Sequence, residues 1–165
     1  MIFSLRPYQP DDFETLYEID QACYDRDIAY SRRELRQYMR FPGVECVVAE
    51  AKAEGKVAAK AQTETKLVGF CLAASEDALG YIITMDVLAA YRRHGVASAL
   101  LNSVEQNLLA RHVSEVWLET ATDNDAAIAF WQRHGYRKQG VRKDYYANGR
   151  DAHTMRKSLV KMAGA

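Results

Sequence analysis

The sequence lacks any charge imbalance. Its 165 residues carry 22 Lys and Arg against 22 Asp and Glu, so the formal net charge is zero. A balanced chain has no general attraction for nucleic acid or an acidic membrane, so neither is an expected partner. Arg92, Arg93 and His94 still form one local basic patch. Cysteine is sparse: Cys23, Cys46 and Cys71 lie far apart and make no CxxC pair. That spacing suggests neither a zinc site nor a disulfide framework; reduced, mostly buried thiols and no metal are expected. No apolar run is long enough to span a bilayer. The N-terminus has no basic and apolar regions of a signal peptide, so the cytoplasm is the expected location. Internal repeats and linkers are missing as well. With 48% hydrophobic residues, positions 1–165 read as a single domain with one core, working as a monomer or homodimer.

What is present is a regular alternation of strand and helix signals. Ile2 to Arg6 reads as a first strand. Pro10-Asp11-Asp12 opens a helix whose apolar stripe is Phe13, Leu16, Tyr17 and Ile19, because Pro suits a first turn and acids suit its positive end. A second helix starts at Ser31, where Ser31 and Glu34 form a capping-box pair, and buries Leu35, Tyr38 and Met39 before Pro42-Gly43 ends it. Strands follow over Val44 to Glu50, Lys66 to Ala74 and Tyr81 to Leu88. Ala51 to Thr65, rich in Ala, Lys, Glu and Thr, reads as a mobile hairpin loop. Val96 to Leu109 has helical periodicity in Val96, Leu100, Val104 and Leu108, with Leu101 and Leu109 beside them. Val113 to Glu119 is a strand, and Asp125 to His134 a helix capped by Asp123 or Asn124, with Gly135 just past its end. Tyr136 to Val141 and Ala152 to Leu159 complete the strands. The order describes a mixed α/β domain with its chemistry at strand ends and turns.

The most informative segment is the basic turn Arg92-Arg93-His94-Gly95-Val96-Ala97, between a strand and a long helix. Helix N-termini expose unpaired amide N–H groups and partial positive charge. Gly95 and Ala97 leave room for a pyrophosphate to approach them, and the arginines add charge. Alone, such a turn is equally well a solvated connection. Arg92, Gly95 and Ala97, however, occupy the defining positions of Arg/Gln-x-x-Gly-x-Gly/Ala, so the turn resembles that of the GNAT superfamily of acetyltransferases. The resemblance extends to Trp117-Leu118-Glu119, to Asn124-x-x-Ala127-x-x-x-Trp131-x-x-x-Gly135-Tyr136 and to Arg142-x-x-Tyr145-Tyr146, and within the superfamily it is to the bacterial ribosomal-protein-alanine N-acetyltransferase branch. It departs in two places. Ala89 and Ala90 precede Tyr91 where the family usually has Pro, and Trp131 stands where the branch has Tyr.

The resemblance implies a GNAT fold: an α+β domain with a mixed sheet of about seven strands and about four helices. It implies acetyl-CoA as co-substrate. The pantetheine arm would lie on the backbone of Met85, Asp86 and Val87, and the pyrophosphate on the turn made by Arg92, Arg93, His94, Gly95, Val96, Ala97 and Ser98. Asn124 would contact the arm, although as a helix cap its one oxygen could not easily do both. Glu119 would be the base, acting through water, since an ammonium has no lone pair with which to attack a thioester; a surface strand-end Glu or an ion-pair partner is the plainer reading. Trp131 cannot donate a proton as the usual Tyr does, and reads as packing against cofactor or core. Either the thiolate leaves without help, since a thiol near pKa ~8.5 is a modest base, or another group donates to the sulfur, and Tyr145, or else Tyr146, is then the expected donor. The resemblance puts this pair in the loop before the final strand, while as strand residues one would face in and one out. Tyr24 and Tyr30 on one side, and Tyr145 and Tyr146 on the other, would wall the acceptor slot. An α-amine has a pKa of ~7.7–8.0 against ~10.4 for lysine, which makes lysine about 3 kcal/mol harder to deprotonate. A protein or peptide N-terminus is therefore the expected acceptor, with a small-molecule amine, or an inactive acetyl-CoA-binding module, as the alternatives.

Overall fold

The computed structural model describes residues 1–52 and 65–160. Most of the loop expected over 51 to 65 lies outside the described residues; its ends, Ala51, Lys52 and Thr65, belong to strands.

The chain runs β1 (Phe3–Pro7), a 3-10 turn, α1 (Phe13–Cys23), α2 (Arg32–Tyr38), β2 (Val44–Lys52), β3 (Thr65–Glu76) and β4 (Leu79–Val87). After a second 3-10 turn come α3 (Val96–Ala110), β5 (Glu115–Ala121), α4 (Asp125–Arg133), β6 (Arg137–Arg142) and β7 (Ala152–Ser158). The seven strands form one sheet in the order β1-β2-β3-β4-β5-β7-β6. Every neighbouring pair is antiparallel except β4 and β5, which α3 connects as a parallel crossover. The edge strand β6 is exposed along its length and carries Arg137, Lys138 and Arg142, charges that discourage a further strand from adding there.

The two faces of the sheet bury two separate cores. On one, Val96, Leu100, Leu101, Val104 and Leu108 of α3 pack on Ala49, Cys71, Ile82, Val116 and Leu118, with Trp131 and Tyr136 closing the layer. On the other, Phe13, Leu16 and Ile19 of α1 and Leu35 of α2 cover Val48, Phe70 and Leu72. Successive strand residues point to opposite faces, so one sequence can serve both. Leu109, expected beside the α3 stripe, is instead 46% exposed, because one residue past Leu108 turns about 100° round a helix. Ser31 does cap α2: its hydroxyl accepts from the Glu34 N–H at 3.3 Å, and the Glu34 carboxylate accepts from the Ser31 N–H at 2.8 Å. All three cysteines are free, but only Cys71 is fully buried.

β4 and β5 part company early. They pair only from Leu79 with Glu115 to Tyr81 with Trp117. β4 goes on pairing with β3 as far as Val87, and β5 with β7 as far as Ala121. The sheet is thus open along a V whose apex is Tyr81 and Trp117. Gly69 holds one arm of the V in place: a Cβ there would stand 2.5 Å from the Asp86 carbonyl oxygen, so β3 and β4 meet at a distance only glycine permits.

Candidate active site

The inner edge of β4 faces the opening. The Ile83 carbonyl accepts from the Tyr30 hydroxyl at 3.2 Å, that of Met85 from the Tyr24 hydroxyl at 3.3 Å, and that of Val87 from the Arg92 Nε at 2.8 Å. These carbonyls are satisfied by side chains, not by a strand. A residue's N–H and C=O leave a strand on the same side, so the N–H groups of Ile83, Met85 and Val87 face the V as well. Tyr24 and Tyr30, expected as slot walls, therefore stand at this edge, anchored to its backbone.

At the open end of the V the chain turns into α3. Arg93 and Gly95 both have positive φ, 63° and 82°, and Gly95 is the N-cap. A Cβ on Gly95 would meet no atom within 4 Å among the described residues, so the space above the helix start is open. Arg92, Arg93 and His94 are exposed around it. Arg92 spends its Nε on Val87, which ties the turn to the strand end and leaves the outer guanidinium nitrogens free to face an anion. His94 Nδ1 lies 2.8 Å from the Arg92 carbonyl. Within the first turn of α3, the Ser98 hydroxyl lies 3.0 Å from His134 Nε2, and His134 Nδ1 lies 2.8 Å from the Phe130 carbonyl, so α4 braces this turn. Val96 is buried beneath it, and Ala97 packs against the α3-side core.

Glu119 projects from β5 two residues past the apex. Its side chain is 4% exposed, and its carboxylate bonds to the Tyr81 hydroxyl and lies 3.4 Å from Arg142 Nε. Burial pushes the Glu119 carboxyl above its ordinary pKa, and Arg142 pulls partly back. The Tyr81 hydroxyl is also 3.4 Å from that of Tyr145. Tyr145, Tyr81 and Glu119 are thus a continuous line of titratable groups. Tyr81 did not stand out in the sequence; it looked like one more strand aromatic. Its signal is register alone, since it pairs with Trp117, two residues before Glu119.

Four of the expected residues stand as follows. Tyr145 and Tyr146 lie in the loop between β6 and β7, where the resemblance put them, and do not face opposite ways as strand neighbours would: their rings are 4.9 Å apart and edge to face. A loop frees both from strand alternation, so both rings stand together; burial raises both phenols, Tyr146 to about 12. Asn124 is the α4 cap, its Oδ1 accepting from the Ala127 N–H at 3.1 Å, so only its NH2 is left for a ligand. Trp131 is 7% exposed and packs edge-on to Phe130 and Tyr136 at 5.1 and 5.3 Å. It packs in the α3-side core.

Asp86 of β4 points to the α1 face. It is buried, accepts from the Thr84 hydroxyl at 2.8 Å, and leaves Oδ2 without a partner among the described residues. Burial, with Asp20 nearby, raises its carboxyl to about 7. Asp20, equally buried, accepts from the Tyr30 N–H at 2.8 Å and is raised to about 6. No group of three or more His, Cys, Asp or Glu is placed to hold a metal among the described residues, and no described helix is long and apolar enough to cross a membrane.

Residues 13–136 match the pattern of the acetyltransferase (GNAT) family. The chain belongs to that family. It is 35% identical over 81 residues to an N-alpha-acetyltransferase of Saccharolobus solfataricus, a stretch that is 48% of each protein. Over this match and the next ones, the chain spans about half the length of its curated relatives. A longer alignment, 27% identical over 138 residues, joins it to the [ribosomal protein bS18]-alanine N-acetyltransferase of Escherichia coli and covers 82% of this chain and 81% of that one. In fold it superimposes with a TM-score of 0.80 on the crystal structure of Arabidopsis thaliana NAA60 in complex with acetyl-CoA, at 22% identity, covering 95% of this chain and 98% of that one.

Proposed function

We propose that the protein transfers acetyl from acetyl-CoA to the α-amine of a protein or peptide N-terminus. The observation that carries this reading is the buried Glu119 carboxylate, bonded to Tyr81, just past the apex of a sheet that opens beside a helix N-terminus. The relatives named N-alpha-acetyltransferase support the choice of acceptor. The residues fit the co-substrate. The inner edge of β4 offers strand-spaced N–H groups to a pantetheine arm, and none of the described residues fills the space over Gly95, where α3 would receive the pyrophosphate. Bound acetyl-CoA supplies an activated acyl carbon. Around it, the Val87 N–H is placed to polarise the thioester oxygen. Glu119 takes a proton from the incoming ammonium, and its raised pKa brings it nearer to that of an α-amine. The free amine forms the C–N bond as the C–S bond breaks. Once the first proton has passed from Glu119 through Tyr81 and Tyr145 to the sulfur, Glu119 takes the second proton from the new amide nitrogen. Tyr145 returns a proton to the sulfur side, and Tyr81 connects it to the base, so one line of groups serves both ends. Tyr24, Tyr30 and Tyr146 wall the acceptor, while Asn124 offers its NH2 to the arm. The cytoplasm, where the free thiols stay reduced, is the proposed location, with the chain working as a single domain.

The test is Glu119→Gln, which keeps shape and removes the base. Turnover on a free N-terminal peptide should fall by about 10²–10⁴ at neutral pH, with CoA affinity by calorimetry nearly unchanged. Release of CoA with polyamines but not with peptides would overturn the acceptor, and full turnover in the variant would overturn the base.

A further inference from the structure

The outer face of α2 and the turn after it carry Arg32, Arg33, Arg36 and Arg40 with Phe41, around a shallow groove of about 640 Å³. In a chain without net charge this is a local concentration. Arg33, Arg36 and Arg40 recur at helical spacing, so they share one side. Two of the arginines are already used. Arg32 stacks over Tyr17 at 4.0 Å and Arg36 over Phe13 at 4.6 Å, and Glu14 bonds both, at 3.0 and 3.2 Å. Glu18 also lies near Arg32, while Glu34 is turned back onto the Ser31 cap. Arg33 and Arg40 are exposed and have no acidic partner among the described residues.

The groove is not the phosphate turn, which opens α3 on the opposite face of the sheet. It is joined instead to the acceptor side. Tyr30, whose hydroxyl holds the inner edge of β4, meets Tyr38 edge-on at 5.1 Å. Tyr38 meets Phe41 edge-on at 5.3 Å, and Phe41 is part of the groove wall. Tyr145, on the far side of the slot, lies near enough to raise the pKa of both Tyr30 and Tyr38. An aromatic ladder therefore leads from the slot to the arginines. An extended chain advances about 3.3–3.6 Å per residue, so the ladder covers at most about three residues.

We infer that the α2 arginine groove binds carboxylate side chains of the acceptor beyond about its third residue, which makes acidic N-terminal segments the preferred substrates. The inference rests on the proposed N-terminal acetylation. Guanidinium groups match carboxylates in charge and in planar geometry. The aromatic rings give the intervening residues a surface that is tolerant of sequence. Exposed ion pairs are individually weak and screened by salt, so the preference is a graded one, set by KM.

The experiment uses three peptides that share their first three residues and carry Asp/Glu, Ser/Gln or Lys at positions four to seven. Thiol release is followed at low and high salt with the full chain. The acidic peptide should have a KM about 5-fold below the neutral one, with similar kcat, and this advantage should shrink at high salt. In Arg33→Glu/Arg40→Glu the ratio of the two KM values should fall to one or invert. Equal KM values in the wild type, or a preference that survives in the double variant, would overturn the inference. An N-terminally blocked, fluorescent acidic peptide provides an independent reading by anisotropy. If it binds through the arginines while no free peptide is turned over, the groove stands and the acetylation reading falls. If a single-stranded RNA of mixed sequence displaces it at lower concentration than the unlabelled acidic peptide does, the groove is a nucleic-acid surface and the inference fails.

Discussion

The two faces of the sheet are built from different material. The α3 face is almost wholly apolar. Its buried polar pair is Glu105 with the Tyr136 hydroxyl, at 2.8 Å, and Lys157 completes it at 2.6 Å. The α1–α2 face packs Phe13, Leu16 and Leu35 beside two buried carboxyls, Asp20 and Asp86, each with an oxygen lacking a partner among the described residues. Unpartnered buried polar atoms cost stability and cluster where structure serves function. The contrast separates a scaffold, which holds β4 and β5 at their angle, from a working face, which anchors the β4 edge through Tyr24 and Tyr30.

The scaffold side should break most severely. Leu100 is fully buried in the middle of α3, and Leu100→Ala should cost about 2–5 kcal/mol in urea unfolding. A loss below about 1 kcal/mol would mean that the α3 face relaxes freely and is no scaffold. Gly95→Glu, at the start of the same helix, should act on binding. It puts bulk and negative charge into the open space above the turn, and CoA affinity by calorimetry should fall about tenfold or more, ~1.4 kcal/mol. Unchanged affinity in a folded variant would remove the pyrophosphate from this turn. The third effect belongs to the working face and depends on pH. The folded state raises the Asp86 carboxyl to about 7, so it keeps its proton where the unfolded chain, near ~3.9, has lost it. The stability this provides is complete below about pH 4 and is lost as pH rises through about 7. Asp86→Asn should therefore gain on the wild type between those limits and hold a constant lead above them. Asp20, raised to about 6, leaves a residual slope in the same direction. Melts at pH 4, 6 and 8 that ran parallel in the two proteins would end this account.

The legible parts of the sequence were those fixed by neighbours along the chain. The Ser31–Glu34 capping box and the stripe from Val96 to Leu108 follow from spacing alone, and both are present. Glycine before a helix after two arginines marked the turn for the same local reason. Long-range registration was hidden. Nothing between Tyr81 and Glu119 announces that their side chains meet; the parallel pairing of β4 with β5 brings them together across the length of α3. Tyr145 and Tyr146 fall between the two last strands, but whether their side chains alternate was not legible; Asp144, at φ 51°, turns the chain just before them and lets both rings stand together. The register at the end of β5 also moved: Val113, expected to begin the strand, is buried in the turn before Glu115.

A sheet that divides in its middle has an exposed edge where none is expected. Edges at the rim of a protein are templates to which a neighbouring molecule can add a strand, and β6 is guarded against this by charge. The β4 edge in the V needs a different guard, because it must stay adhesive. Side chains supply part of it: Tyr24, Tyr30 and Arg92 occupy its carbonyls, and the strands converge to their pairing at Tyr81 and Trp117. Whatever lies there acts as a temporary eighth strand. If the proposed pantetheine arm is what lies there, its arrival should slow amide exchange along Ile83–Val87 and unite two half-sheets into a stiffer whole.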